Sequence, residues 1–261
     1  MIRPFLSTSA VAHGDTLSVV MERMLADGHR NIEIGIGPRP EPDAGSAIRG
    51  ALSNGAIVTA HANCPIGDGR HLNQERDFEE IIDRCWDFGI HRYSVHAPRK
   101  RDYPSWSDFL TWAVTKWGNS LIPRSSSRAS GSVTYGFGPR VLDFSIETMY
   151  PSKDPYWLDS YDEVARFLDW TDHVGWGRPL IADVAHLQIG INQGLWTEPQ
   201  VEFVLKSQQV SEFHFSDNDG IHDNHKPYVK GLNSRIDRWL DWCRESPDVS
   251  LVDEGRRRVK T

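Results

Sequence analysis

Over residues 211–227 the chain reads SEFHFSDNDGIHDNHKP, three histidines and three aspartates in seventeen residues. The alternation up to Phe215 is that of a strand, and Asn218-Asp219-Gly220 is a turn signal. His214 is therefore expected at a strand end, with Asp223 and His225 in the loop beyond. Asp223 and His225 are two residues apart, which in extended backbone sends both side chains the same way. A carboxylate and an imidazole converging from one loop edge suit a borderline divalent metal such as zinc, manganese or iron. Taken alone, the segment is equally compatible with a polar, Asp-rich turn that caps the next helix. The rest of the chain breaks the tie.

A loop presents such side chains usefully only if a scaffold holds it. Short apolar, β-rich runs recur eight times, at residues 4–6, 31–35, 57–60, 92–95, 141–146, 180–182, 212–215 and 249–252. Between them lie seven amphipathic segments, 16–26, 44–52, 77–88, 106–116, 161–170, 198–206 and 234–244. In the third of these Phe78, Ile81, Ile82, Cys85 and Trp86 draw an apolar stripe along one helical face. Strands alternating with helices predict βαβ units and a parallel sheet, and eight units fit a closed barrel better than an open sheet. The fold class expected is α/β, a single (β/α)8 TIM barrel, with residues 1–261 read as one domain.

From the third onward, each run delivers a polar side chain at or just past its end. The third runs into His61 in TAHANCP and the fourth into His96 in SVHAP; the fifth delivers Glu147 in FSIETMYP. The sixth gives Asp183 and His186 in IADVAH, the seventh His214 with Asp223 and His225 behind it, and the eighth Glu254 in SLVDEG. Asp183 and His186 are three apart and share a site only if the strand stops near Asp183 and a loop through Gly190, Asn192 and Gly194 turns inward. Singly, each has a dull explanation, such as a satisfied core histidine or an acid paired with arginine. Nine ligand-type side chains at or just beyond successive strand ends are harder to dismiss, because in a barrel those ends converge on one mouth.

Composition narrows the class of function. At 261 residues and 39% hydrophobic, the chain has enough apolar content for a sizeable core. A net charge of −7 disfavours nucleic acid as a partner. No stretch approaches the roughly 20 apolar residues of a membrane span, so a cytoplasmic protein with a small-molecule substrate is expected. Cys64, Cys85 and Cys243 are odd in number and lack C-x-x-C spacing, which implies neither a disulfide framework nor a thiolate zinc site. Ten tryptophans leave room for a protein interface, and the oligomeric state stays open. Residues 123–139, rich in Ser, Gly and Arg, read as a connector, or as a lid carrying Arg124 and Arg128. The C-terminal GRRRVKT reads as a solvated basic tail.

The order and spacing of these motifs, from Asn31 to Glu254, resemble those of the xylose isomerase-like TIM-barrel superfamily, in particular its endonuclease IV branch; HFSDNDGIHDNHKP followed by KGLNSRID is similar to its strand 7 signature. The resemblance implies one to three divalent ions per chain, zinc first, with manganese or iron as alternatives. His61, His96 and Glu147 would hold one ion. Glu147 would bridge to a second, held with Asp183, His214 and Glu254, while His186, Asp223 and His225 would hold a third. The mononuclear epimerases of the superfamily need only Glu147, Asp183, His214 and Glu254. The segment around Asp183 lacks the cysteine-flanked, Ala-Gly-Tyr-containing sequence of true abasic-site endonucleases, which argues against DNA as substrate.

Two chemistries follow from such a site. Several close divalent ions suit in-line displacement at phosphorus, hence hydrolysis of a phosphoester of a small, sugar-like substrate. A single ion with Glu147 and Glu254 as paired bases suits a sugar or sugar-phosphate isomerase or epimerase. A multinuclear non-haem iron oxidase is a third alternative. A barrel that only binds sugar or stores metal is the non-enzymatic one. Arg99, first of the run Arg99-Lys100-Arg101 after His96, is a candidate substrate-binding residue, as are Glu33, whose direction parity cannot fix, and His13. Solvated surface charge is the competing account for Lys100 and Arg101.

Overall fold

The computed structural model describes residues 4–8, 16–35, 43–62, 82, 84–90, 92–121, 142–246 and 249–255. Eight parallel strands, in chain order, close into a barrel. They are β1 (Phe5–Ser7), β2 (Asn31–Gly35), β3 (Ile57–Ala62), β4 (Arg92–His96), β5 (Asp143–Glu147), β6 (Leu180–Asp183), β7 (Val210–Phe215) and β8 (Ser250–Asp253). Pairing of Phe5 with Val252 and Leu6 with Asp253 seals the ring. The eight apolar runs thus become the eight strands, several extended by a residue or two toward the donors that follow them. His61 lies within β3, and His96, Glu147 and Asp183 each end a strand.

The helices are α1 (Leu17–Ala26), α2 (Ala44–Ser53), α3 (described over residues 84–88), α4 (Trp106–Leu121), α5 (Tyr161–Val174), α6 (Val184–Asn192), α7 (Glu198–Leu205) and α8 (Ser234–Glu245). Their ends carry the expected signals. Thr16 and Asn233 cap α1 and α8 through their side chains, Thr197 and Gln200 form a capping box on α7, and Gly175 at φ 75° closes α5. In α3, Ile82 and Cys85 of the expected apolar stripe are buried.

Helix α6 is the departure from expectation. It starts immediately after β6 and runs through Gly190 and Asn192, where a loop was expected. Residues 184–190 are all buried, so the helix has no polar face and no amphipathic period by which a sequence could announce it. The tryptophans belong largely to the packing around the barrel. None of the ten is exposed, and Trp106, Phe109, Trp157, Phe167 and Trp176 form a continuous aromatic layer with α4 and α5, its ring centroids 5.2–5.8 Å apart. Among the described residues no helix is long and apolar enough to cross a membrane. Residues 123–139, His13 and Cys64 lie outside the described residues.

Gly190 sits where α6 meets Trp196. A Cβ there would lie 2.3 Å from the indole, which is itself held by its N–H donating to the carbonyl of Asp159. Gly190→Ala should therefore destabilise the fold by about 1–3 kcal/mol in urea unfolding, whereas Gly177→Ala, with open space around it, should stay within about 0.5 kcal/mol of wild type.

Candidate metal centre

Because all eight strands run the same way, their carboxyl ends share one face of the barrel. Register then sets His96 beside Glu147, and Asp183 beside His214. Glu254 follows β8 directly, its amide donating to the carbonyl of Phe215. Glu147 is the centre of the arrangement. Its Oε2 lies 3.3 Å from His61 Nε2 and 3.2 Å from His96 Nε2. Its Oε1 lies 3.6 Å from both His186 Nδ1 and His214 Nδ1. His214 Nδ1 is in turn 3.4 Å from Glu254 Oε1.

Helix α6 brings in the rest. Asp183 Oδ1 accepts from the amides of Ala185 and His186, capping the helix, and leaves Oδ2 free. One turn of α6 thus places His186 beside Asp183, which two positions on a strand could not do. His186 Nδ1 donates to the carbonyl of Thr148, turning Nε2 toward Asp223 Oδ2 at 3.3 Å. His225 Nε2 faces the same Asp223 oxygen at 3.1 Å. Asp223 and His225 meet through a turn, not through extended backbone, since His225 adopts φ 45°. Their loop is closed by reciprocal backbone bonds between Asp217 and Lys226, and tied to α6 by Asn218 donating to Ala185 O and Asn192 donating to Gly220 O.

All nine candidate ligands therefore gather in one mouth. Three sets offer donor atoms within 4.8 Å of one another: Glu33 with His61 and His214; His61 with His96 and Glu147; and Glu147 with Asp183, His214 and Glu254. The atoms that face inward are those without hydrogen-bond partners: His61 Nε2, Glu147 Oε2, Asp183 Oδ2, His186 Nε2, His214 Nδ1, Asp223 Oδ1 and His225 Nδ1. Buried polar atoms are rarely left so. Nitrogen and oxygen lone pairs in this geometry fit a divalent cation, and the donor sets among the described residues, all imidazole and carboxylate, suit zinc, manganese or iron.

No protein-family model and no curated protein matches the sequence. Solved structures do match the fold. The IOLI protein with a binding zinc atom superposes with TM-score 0.64 at 11% identity, covering 97% of this chain and 90% of that one. Endonuclease IV from Thermus thermophilus gives 0.59 at 15% identity, covering 95% and 90%. A xylose isomerase domain protein from Alicyclobacillus acidocaldarius gives 0.56 at 13% identity, covering 99% and 91%. The chain shares the TIM-barrel fold of these structures.

Within this barrel the candidate donors perturb one another strongly. Burial would raise the Glu147 carboxyl, but the neighbouring imidazoles of His96 and His214 outweigh it and hold the group well below its usual range. Burial does win at Asp183, pushed up to about 6, and at Glu33, pushed up to about 8. Burial likewise lowers His61 to about 4. At His186 and His214 burial is outweighed by the surrounding carboxylates, which raise both imidazoles well above the ordinary value. Protons and divalent cations are alternatives at such atoms, so metal uptake would release protons.

Glu33 points into the barrel: it is fully buried, its Oε2 3.4 Å from His214 Nε2. Arg99 stacks on the Tyr156 ring at 4.2 Å and pairs with Asp154 at 2.9 Å. Lys100 pairs with Asp159 and Glu163, and Arg101 with Asp154, so the basic run is neutralised locally. Sequence reasoning missed Ser94, Thr148 and Glu212, which contact the backs of the imidazoles. Ser94 Oγ donates to Ala60 O and accepts from His61 Nδ1 at 2.8 Å. Ser94 and Glu212 each precede a candidate histidine by two residues on a strand, a same-face signal that was there to be read. Thr148 acts through its backbone carbonyl and left no such signal.

A ligand that binds only the folded state raises stability, by about 2.7 kcal/mol at a hundredfold excess over its dissociation constant. Zinc or manganese added to metal-free protein should raise the thermal midpoint, and chelator should reverse the rise. His96→Ala removes a side chain 29% exposed, so it should shrink that rise while leaving the metal-free midpoint nearly unchanged.

Proposed function

We propose that this chain is a metal-dependent enzyme that holds more than one divalent ion at the barrel mouth and hydrolyses a phosphoester of a small, sugar-like substrate. The observation that carries this reading is the set His186, Asp223 and His225, which lies beside the four-donor set and ends in unpaired atoms of its own. A single-ion enzyme does not need this set as ligands, although its side chains could hydrogen-bond a polyol substrate. His61, His96 and Glu147 would hold one ion; Glu147, Asp183, His214 and Glu254 a second; His186, Asp223 and His225 a third. The solved neighbours give the same direction, one named as endonuclease IV and another as carrying zinc.

Bound divalent ions would lower the pKa of water and stabilise charge on phosphate oxygens during in-line displacement. The chain's own part is to place the donors. Glu147 offers each oxygen to a different pair of imidazoles and so joins two donor sets. Asp183 divides its oxygens, one fixing the start of α6 and the other facing the mouth. Glu254 reaches both His214 and His225, at 3.4 and 3.8 Å, linking the second donor set to the third. Arg99 would meet a substrate anion only by loosening Asp154, which ranks it below the donors. A neutralised basic run and a net charge of −7 favour a small substrate over a nucleic-acid backbone.

A second reading rests on a different observation. Four donor atoms, one each from Glu147, Asp183, His214 and Glu254, converge mutually within 4.8 Å, the largest such set among the described residues. That set alone would serve a single-ion isomerase or epimerase, with Glu147 and Glu254 moving the proton.

Elemental analysis of protein purified without added metal should find two or three ions per chain, together with turnover in a phosphoester panel. One ion per chain, unchanged in His225→Ala and accompanied by ketose conversion, would transfer the assignment to the isomerase. Iron with oxygen uptake would transfer it to an oxidase. Glu147→Gln should lower turnover by about a thousandfold or more with the far-UV spectrum intact; a fully active variant would remove Glu147 from the site.

A further inference from the structure

We infer that Glu212, anchored by Arg92, is a positioning residue that fixes the ring of His214 with Nδ1 toward the other donors. The inference deepens the metal-dependent reading above and rests on it for its consequence, though not for its geometry. His214 is fully buried, and its two ring nitrogens face different ways. Nδ1 lies 3.4 Å from Glu254 and 3.6 Å from Glu147, on the donor side. Nε2 lies on the other side, where two further carboxylates wait: Glu212 Oε1 at 2.9 Å and Glu33 Oε2 at 3.4 Å.

Of these two, Glu212 lies closer to Nε2 and is anchored by an arginine. Arg92 Nη1 donates to Glu212 Oε2 at 3.3 Å and also to the hydroxyl of Ser250. Arg92 is the first residue of β4, whereas Glu212 and Ser250 belong to β7 and β8. Since β4 pairs with β3 and β5 and not with β7, the guanidinium reaches across the barrel interior to make this contact. Glu212 and His214 are two apart on one strand, so their side chains leave the same face. Arg92, its side chain 23% exposed, thereby ties the buried Glu212 carboxylate in place.

An acceptor fixed on Nε2 commits the proton to that nitrogen and leaves the Nδ1 lone pair for a cation. Flipping the ring would turn carbon toward Glu212 and forfeit the bond. A full negative charge behind the ring also makes it a stronger donor. Partners of this kind, removed, typically weaken metal binding about 10- to 100-fold. Glu212 itself touches neither the donor atoms nor the open mouth, so it acts through His214.

The test uses the full chain, with Glu212→Gln keeping an acceptor and Glu212→Ala removing it, and with zinc as the titrated ion. In wild type, both zinc-loaded and metal-free above the raised imidazole pKa so that the ring is neutral, nitrogen-proton correlation spectra should show a slowly exchanging proton on His214 Nε2. That signal should survive in Glu212→Gln and vanish in Glu212→Ala. Zinc affinity should fall about tenfold in the first and about a hundredfold in the second. Should Glu212→Ala fail to fold, Glu212→Gln against Glu33→Gln decides, because only the former is expected to weaken zinc binding. The assignment is overturned by a proton on Nδ1 in place of Nε2, or by wild-type zinc affinity in a folded Glu212 variant. A wild-type chain that takes up no zinc, manganese or iron would instead sink the metal-dependent function, while the ring proton would still support or overturn the placement of Glu212.

Discussion

The mouth of this barrel is governed by the cost of taking carboxylates out of water. Glu33, Glu147, Asp183, Glu212 and Glu254 are each at most 6% exposed, and all five surround His214 or its neighbours. An isolated buried carboxylate costs far more than one domain can spare, so each must be paired or neutralised. Imidazoles from β3, β4, β7 and α6 are interleaved among the acids, and Arg92 approaches from below. The opposed shifts within a few ångströms, Glu147 down and Asp183 up, express the same conflict. Divalent cations would resolve it more fully than protons do, and that is the physical root of the metal-dependent reading.

Helix α6 is the second device on which the mouth depends. An ordinary βα connection would carry the chain out to the barrel's surface before turning back. Here the helix begins at the strand's last residue, and the Asp183 carboxylate is both its cap and a candidate ligand. The helix stays buried, holds His186 against the Thr148 carbonyl, and offers Ala185 O and Asn192 as fixed points for the loop that carries Asp223 and His225. Loss of α6 would therefore scatter four donors at once: Asp183, His186, Asp223 and His225.

The donors that end strands were legible because parallel closure leaves no choice. Once eight apolar runs are read as barrel strands, His61, His96, Glu147, Asp183, His214 and Glu254 must share a face, whatever the fine geometry. His186 joins the cluster through a buried helix and not through the loop expected. Asp223 and His225 also converge as anticipated, but through left-handed backbone at His225. Glu33 could not be assigned an inward direction by alternation alone, because a strand buried on both faces shows no polar side.

What the sequence determined by itself was the period and order of the elements and the chemistry at their ends, since both depend on local pattern and on the single direction of parallel strands. What only the tertiary structure decided was the contact between residues remote along the chain. Arg92 reaching Glu212, Thr148 holding His186, and α6 buried without an amphipathic stripe all depend on how the ring closes. Closure brings non-neighbouring strands within a side chain's length of one another, and no local periodicity encodes that distance.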